Sequence, residues 1–94
     1  MQGLTAFQYD MLAVLHDEGP CYGLKIKREL EERHPKYGGE VNHGRLYPNL
    51  DKLVTAHGYV EKSELDKRTN EYALTEAGEA TLFDRVEELG GEME

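Results

Sequence analysis

The sequence predicts a mostly helical α+β domain of the winged helix-turn-helix class: three helices, a two-stranded β-hairpin that forms the wing, and a C-terminal helix. Three observations support this prediction. Apolar residues recur at helical spacing in three successive segments of residues 1–56. A polar turn, DKRTN at residues 66–70, then separates two short stretches that favour strands. A last apolar stripe at helical spacing follows the second stretch.

The first two helices are bounded by local signals. Thr5 followed by Gln8 has the pattern of a capping box, and Gly19-Pro20 ends the first helix. The apolar stripe of that helix comprises Phe7, Met11, Leu12, Val14 and Leu15. A second helix is predicted from about Tyr22 to Arg33, on fewer apolar residues, and the KYGGE segment after it is predicted to be a loop.

The third helix is predicted from about Asn42 to Ala56, with Gly58 in the left-handed position beyond its end. Leu46, Leu50 and Leu53 share one face, and Gly44 and Pro48 point away from it. Two starts stay open. If regular helix begins near Gly44 or Arg45, Pro48 lies close to the first turn at small cost, and if it begins at Asn42 a kink at Pro48 is expected.

The hairpin is predicted over residues 59–74, with an outgoing strand at 59–65 and a returning strand at 71–74. Thr75 is predicted to cap the last helix, and Gly90-Gly91 to end it. We therefore expect one compact unit in two parts. Residues 1–75 would form the winged helix-turn-helix domain, and residues 76–94 a dimerisation helix and tail.

Charge is distributed unevenly along the 94 residues, whose formal net charge is −8. Residues 25–70 carry ten basic and eight acidic side chains, a net +2, whereas residues 71–94 carry Arg85 against eight acids, a net −7. Local positive charge is what a phosphate-binding face needs, so overall acidity does not exclude nucleic acid. Such acidity is also typical of proteins from halophiles, and we treat a halophilic source as a hypothesis.

The outer face of the third helix has the residue types that read DNA in a major groove. Arg45 can pair with guanine and Asn49 with adenine, while basic residues of the second helix and the hairpin tip can contact phosphates and an adjacent minor groove. The predicted DNA-binding residues are Lys25, Lys27, His43, Gly44, Arg45, Tyr47, Asn49, Lys52, Lys67, Arg68, Thr69 and Asn70. The alternative is that these charges form an ordinary solvated face and that Tyr47 packs at the edge of the core.

At this point the chain resembles the PadR family of transcriptional regulators, in particular its short, acidic archaeal members. The resemblance rests on LTAFQYDMLAVL, YGLKIKRELEE, GRLYPNLDKL, GYVEK and RTNEYALTEAG, which follow in that order. It implies a winged-helix homodimer that binds a near-palindromic DNA operator and usually represses. It also implies dimerisation through the C-terminal region. That region is here a single helix, shorter than the multi-helix domain of larger members, so we expect the first helix to share in the contact. The predicted dimer interface is Phe7, Met11, Leu82, Phe83, Val86 and Leu89.

Other functional classes receive little support from the sequence. The four histidines and Cys21 lack metal-ligand spacing, and no phosphate-binding loop or nucleophile elbow occurs, so we expect no enzyme, metal or cofactor. A single cysteine is more often a small buried hydrophobe than a redox sensor. No apolar run is long enough to span a bilayer, so we expect a cytoplasmic location. A small-molecule effector is possible but not indicated, and the main alternative is a winged helix that binds another protein instead of DNA.

Overall fold

The computed structural model describes residues 3–90 and confirms a winged helix-turn-helix fold. In chain order the elements are α1 (Ala6–Glu18), β1 (Cys21–Tyr22), α2 (Gly23–Arg33), a 3₁₀ turn (Pro35–Tyr37), α3 (His43–Thr55), β2 (Val60–Glu64), β3 (Asn70–Leu74) and α4 (Glu76–Glu88). The predicted helices and hairpin thus occur in the predicted order. The 3₁₀ turn lies in the segment predicted as a loop. Gly91 of the predicted final stop lies outside the described residues.

Side-chain caps begin three of the four helices. The capping box of α1 is complete, because Thr5 accepts the N–H of Gln8 and the Gln8 side chain accepts the N–H of Thr5. Asn42 caps α3 by accepting the N–H of Arg45 at 2.9 Å, and Thr75 caps α4 by accepting the N–H of Gly78. These bonds satisfy N–H groups that have no partner inside a helix, which explains why the helices begin where the sequence predicts.

The sheet has three antiparallel strands in the order β1-β3-β2, one more than the predicted hairpin. Tyr22, predicted at the start of the second helix, instead pairs with Glu71 of β3, and Cys21 before it pairs with Tyr72. A strand of two residues is too short to show alternation, so its assignment depends on the partner strand that the fold places beside it. The pairing ties the start of α2 to the base of the wing.

Three of the six residues predicted for the dimer interface lie in the hydrophobic core instead. Met11 is fully buried, Phe7 is 3% exposed and Leu82 is 4% exposed, and all three pack in the core of this one protomer. They therefore have no surface left for a second copy. Of the predicted interface, only Phe83 and Val86 of α4 and Leu89 just beyond it remain partly or largely exposed.

α3 begins at His43, between the two starts that the sequence left open, and Pro48 lies in its second turn. The kink expected for the earlier start stays a prediction. Pro48 has no N–H to donate to the carbonyl of Gly44, and that helical hydrogen bond is lost. Immediately beyond, the side chain of Asn49 donates to the carbonyl of Arg45 at 2.8 Å, which adds a bond to this weakened part of the helix.

Candidate nucleic-acid interface

One face of α3 is buried and the opposite face is open. Leu46, Leu50 and Leu53 are fully buried, whereas Gly44, Pro48 and Lys52 are exposed. An ideal Cβ built on Gly44 would lie 3.3 Å from the Asn42 side-chain oxygen and near nothing else within 4 Å. The outer face of α3 is therefore narrow at its N-terminal end, where a base edge could approach the backbone closely.

Arg45 lies at the edge of this face, over two aromatic rings. Its guanidinium carbon is 4.1 Å from the ring centre of Phe7 and 5.1 Å from that of Tyr37. The residue is nevertheless exposed, and its side chain makes no ion pair or hydrogen bond within residues 3–90. Contact with a ring face occupies no hydrogen-bond acceptor, so the N–H donors of Arg45 stay available to an acceptor such as guanine.

Asn49 is half-buried, and its amide is engaged inside the protein. Its oxygen accepts from Gln8 Nε2 at 3.0 Å, and its nitrogen donates to the carbonyl of Arg45. Each of these two groups thus has one protein partner, and through them Asn49 joins α3 to α1. An amide nitrogen has a second N–H and an amide oxygen a second lone pair, so pairing of Asn49 with adenine stays a prediction.

Tyr47 occupies the other edge of α3 and packs against the start of α2. A Cβ built on Gly23 would lie 2.5 Å from the Tyr47 hydroxyl oxygen, so only glycine allows this approach. The ring of His43 meets that of Tyr47 edge-to-face, with centroids 5.6 Å apart. Tyr47 is half-buried, as the alternative packing interpretation expects, but it also faces the cleft described below.

The basic residues at the start of α2 are not equally free to contact DNA phosphates. Lys27 forms an ion pair of 2.7 Å with Glu31, which also accepts the N–H of Val41. These two hydrogen bonds hold the pKa of Glu31 below its usual value. Lys25 makes a looser pair of 3.4 Å with Glu18. Arg28 is exposed and makes no ion pair among the described residues, so it is a better phosphate-contact candidate than Lys27.

The tip of the wing is shaped by Asp66, which the sequence analysis did not single out. Its carboxylate accepts the N–H of Arg68 at 2.8 Å, and the N–H of Leu65 donates to the carbonyl of Thr69. The hydrogen bond from Arg68 lowers the pKa of Asp66, which therefore stays charged and able to hold the turn. Lys67 and Arg68 are exposed at this turn and make no ion pair within residues 3–90.

A cleft of about 290 Å³ opens where α2, α3 and the wing meet. Its lining comprises Tyr22, Gly23, Leu24, Tyr47, Arg68, Thr69, Asn70 and Tyr72. Four predicted DNA-binding residues (Tyr47, Arg68, Thr69 and Asn70) thus come together. Sequence reasoning missed Tyr22 and Leu24, which are 40% and 42% exposed, because only the pairing of β1 with β3 brings them to the wing.

Residues 3–90 lack two further kinds of feature. No cluster of three or more histidine, cysteine or acidic side chains has the arrangement of a metal site there. None of the helices in that range combines the length and apolarity that crossing a bilayer would require.

Comparison with known proteins identifies the family. Residues 11–84 match the transcriptional regulator PadR-like family, and no curated protein matches the chain significantly. The structure resembles H. salinarum RosR, with 62% identity, 94% of this chain and 76% of that chain covered, and a TM-score of 0.82.

Two structures solved with operator DNA are also similar. For a mutant E. coli MarR the identity is 27%, with 93% of this chain and 56% of that chain covered and a TM-score of 0.74. For Bacillus subtilis PadR the identity is 24%, with 87% and 48% covered and a TM-score of 0.69, a likeness of fold alone. From the family match and the similarity to RosR together, the chain belongs to the PadR-like family of transcriptional regulators.

Proposed function

We propose that this chain is a transcriptional repressor that binds a near-palindromic DNA operator as a homodimer. In this proposal α3 enters the major groove and the wing reaches the adjacent minor groove. One observation carries it: exposed cations that make no ion pair within residues 3–90 occur on α3 and at the wing tip. These cations are Arg45, Lys52, Lys67 and Arg68. The similarity to a mutant E. coli MarR solved with operator DNA supports DNA as the partner.

The charge of α4 sets the direction in which the molecule meets DNA. Glu76, Glu79, Glu87 and Glu88 are exposed on this helix, within the segment of net charge −7. A duplex would repel these carboxylates, so the proposal places α4 on the side of the protomer away from DNA.

The same helix provides the proposed dimer contact. Phe83 is 42% exposed and Leu89 is 68% exposed, and Val86 is half-buried between them. An α4-to-α4 contact would cover these apolar side chains. It would also place two copies of α3 for two half-sites related by the dimer axis.

Paired substitutions test the DNA interface. Binding is measured by fluorescence anisotropy on an operator selected from random DNA, and on copies with single base-pair changes. Arg45→Ala should reduce discrimination at one base pair of each half-site by about 1–3 kcal/mol, whereas Lys67→Ala should weaken all sequences alike and lower the salt slope by about one. Arg85→Ala removes a cation from α4 and serves as the control that should change neither quantity. Unchanged DNA binding in both interface variants would refute this docking.

A winged helix that binds protein instead of DNA is the second candidate, and the net charge of −8 favours it. The salt dependence of DNA affinity separates the two functions. For a DNA-binding protein, the logarithm of the affinity falls linearly with the logarithm of the salt concentration. The slope is about −0.9 for each phosphate neutralised. Selection from random DNA that enriches no sequence, with no such slope, would favour the protein-binding function.

We also propose that the protein works in a high-salt cytoplasm. Its acidity and its 62% identity to H. salinarum RosR support this. Molar salt screens the repulsion among carboxylates, so the melting temperature should be higher in molar KCl than in dilute buffer. Equal melting temperatures in the two buffers would contradict halophilic adaptation.

A further inference from the structure

We propose that Tyr37 and Asp10 are positioning residues for Arg45, and that the rings of Phe7 and Tyr37 hold its guanidinium ready to read a base. We call these two rings the aromatic shelf. The inference rests on the proposed DNA-binding function. It assigns sequence discrimination in part to residues that need not touch DNA.

The shelf is a corner between two elements distant in sequence. Phe7 lies in α1 and Tyr37 in the 3₁₀ turn, with ring centroids 5.4 Å apart and planes at 89°. The Arg45 guanidinium lies over both rings, at 4.1 and 5.1 Å. An arginine held by two rings at right angles has fewer orientations than one in open solvent. It therefore loses less conformational freedom when it pairs with a base.

Asp10 fixes the position of Tyr37. The Tyr37 hydroxyl donates a short hydrogen bond to Asp10 Oδ2. Burial and this hydrogen bond raise the pKa of Tyr37, so the ring carries a neutral hydroxyl at physiological pH. Lys36 Nζ lies 3.3 Å from the same carboxylate oxygen. Asp10 belongs to α1, so the 3₁₀ turn and the first helix are joined beneath Arg45.

The backbone of Arg45 is held from the same side. Its N–H donates to the Asn42 side chain at 2.9 Å, and its carbonyl accepts from Asn49, which is itself bonded to Gln8 of α1. The guanidinium of Arg45 thus contacts α1 through Phe7, and its carbonyl is connected to α1 through Asn49 and Gln8. The Phe7 ring and the Gln8 amide are adjacent in sequence and act on the guanidinium and the backbone respectively.

The experiment measures discrimination at the base pair whose preference is lost in Arg45→Ala. Tyr37→Leu removes the ring, and Tyr37→Phe keeps the ring but removes the hydrogen bond to Asp10. We expect Tyr37→Leu to reduce discrimination at that base pair about two- to fivefold, which lies within the cost of ordering one rotamer-rich side chain on binding. Tyr37→Phe and Asp10→Asn should each cause a smaller loss. Affinity for unrelated DNA and the salt slope should stay unchanged, because the number of phosphate contacts is the same.

A matched control lies elsewhere on α1. The guanidinium of Arg85 lies 4.6 Å from the ring centre of Tyr9, a similar contact that faces α4 and not the proposed interface. Tyr9→Leu should leave discrimination intact. In a double-mutant cycle, Tyr37→Leu should have no further effect on discrimination once Arg45 is alanine.

Three results would overturn the proposal. They are unchanged discrimination in Tyr37→Leu, a loss that persists in the Arg45→Ala background, or an equal loss for all DNA sequences. If Tyr37→Leu fails to fold by circular dichroism, Tyr37→Phe and Asp10→Asn decide, and unchanged discrimination in both counts against the shelf. A wild-type protein that selects no DNA sequence would instead reject the function on which the shelf depends.

Discussion

Replacing Gly78 by alanine should lower the unfolding free energy of the protein, although this residue lies in α4, away from the proposed DNA face. A Cβ on this residue would overlap the carbonyl oxygen of Tyr59 and lie 2.8 Å from Leu74 Cδ1. The oxygen belongs to the backbone and cannot rotate away. Thr75, which caps α4, also donates its N–H to that oxygen at 3.1 Å. Gly78→Ala must therefore push the first turn of α4 away from the residue before β2.

The expected cost follows from three contributions. Overpacking a tight contact costs about 1–3 kcal/mol, and losing a backbone hydrogen bond about 0.5–1.5 kcal/mol. Alanine in place of a helical glycine returns about 0.5–1 kcal/mol. The net loss of unfolding free energy is then about 2 kcal/mol. For a domain of this size it corresponds to a melting temperature about 8–16 °C lower.

Gly44→Ala is the matched control, because it adds the same methyl group at the open start of α3. Its Cβ meets only the Asn42 side-chain oxygen, at 3.3 Å. This tight contact offsets part of the gain from replacing a helical glycine, so we expect a melting temperature equal to or slightly above that of the wild type. That methyl group stands on the face proposed to approach base edges, so DNA affinity should fall. Gly78→Ala, assayed well below its melting temperature, should keep wild-type DNA affinity.

Thermal unfolding by circular dichroism and DNA anisotropy on the same samples measure both quantities. An unchanged melting temperature in Gly78→Ala would refute the argument from the Tyr59 carbonyl. Wild-type DNA affinity in Gly44→Ala would show that no part of the duplex approaches this end of α3.

Three further outcomes are expected. Desolvation opposes the charge of Asp17, but hydrogen bonds from His16 and Arg33 outweigh it and lower its pKa. The charge of Asp17 thus stabilises the protein above the unfolded pKa of about 4, and this stabilisation is lost as the pH falls through the pKa of the folded state. Asp17→Asn should therefore flatten the acid side of the curve of unfolding free energy against pH. Burial raises the pKa of the Cys21 thiol, so its reaction with a thiol reagent should speed up with urea in step with unfolding, and fast reaction in native buffer would contradict its burial. Phe83→Ser should weaken the proposed dimer in sedimentation experiments with little change in protomer folding, and an unchanged association constant would place the dimer contact elsewhere.

Features of the fold that depend on neighbouring residues were predictable. The capping box at Thr5 and Gln8, the Thr75 cap and the glycine at position 58, whose φ is +70°, each involve residues within three or four positions. The ion pair of Lys27 with Glu31 is also of this kind, since side chains four apart on a helix are neighbours. Its effect on the availability of Lys27 could have been inferred from the spacing.

Three of the six residues predicted for the dimer interface lie in the core of the protomer, because a helical apolar stripe does not say what covers it. Phe7 and Met11 of α1 have the spacing of an interface, and they are equally suited to a core. α1 packs against several elements of its own protomer at once, so its stripe is already buried. The partial exposure of Phe83 and Val86 became visible only when the rest of the fold was in place.

The sequence alone predicted the order of the helices and strands, the helix ends and the uneven charge. Capping, turn chemistry and apolar periodicity act over only a few positions, so no tertiary contact was needed. The sequence alone did not predict the contacts of Arg45 and Asn49. Asn49 meets Gln8 across 41 residues, and Arg45 rests on rings from two other elements. Such contacts arise only when packing brings distant segments together, and they determine whether a polar side chain is free to bind DNA.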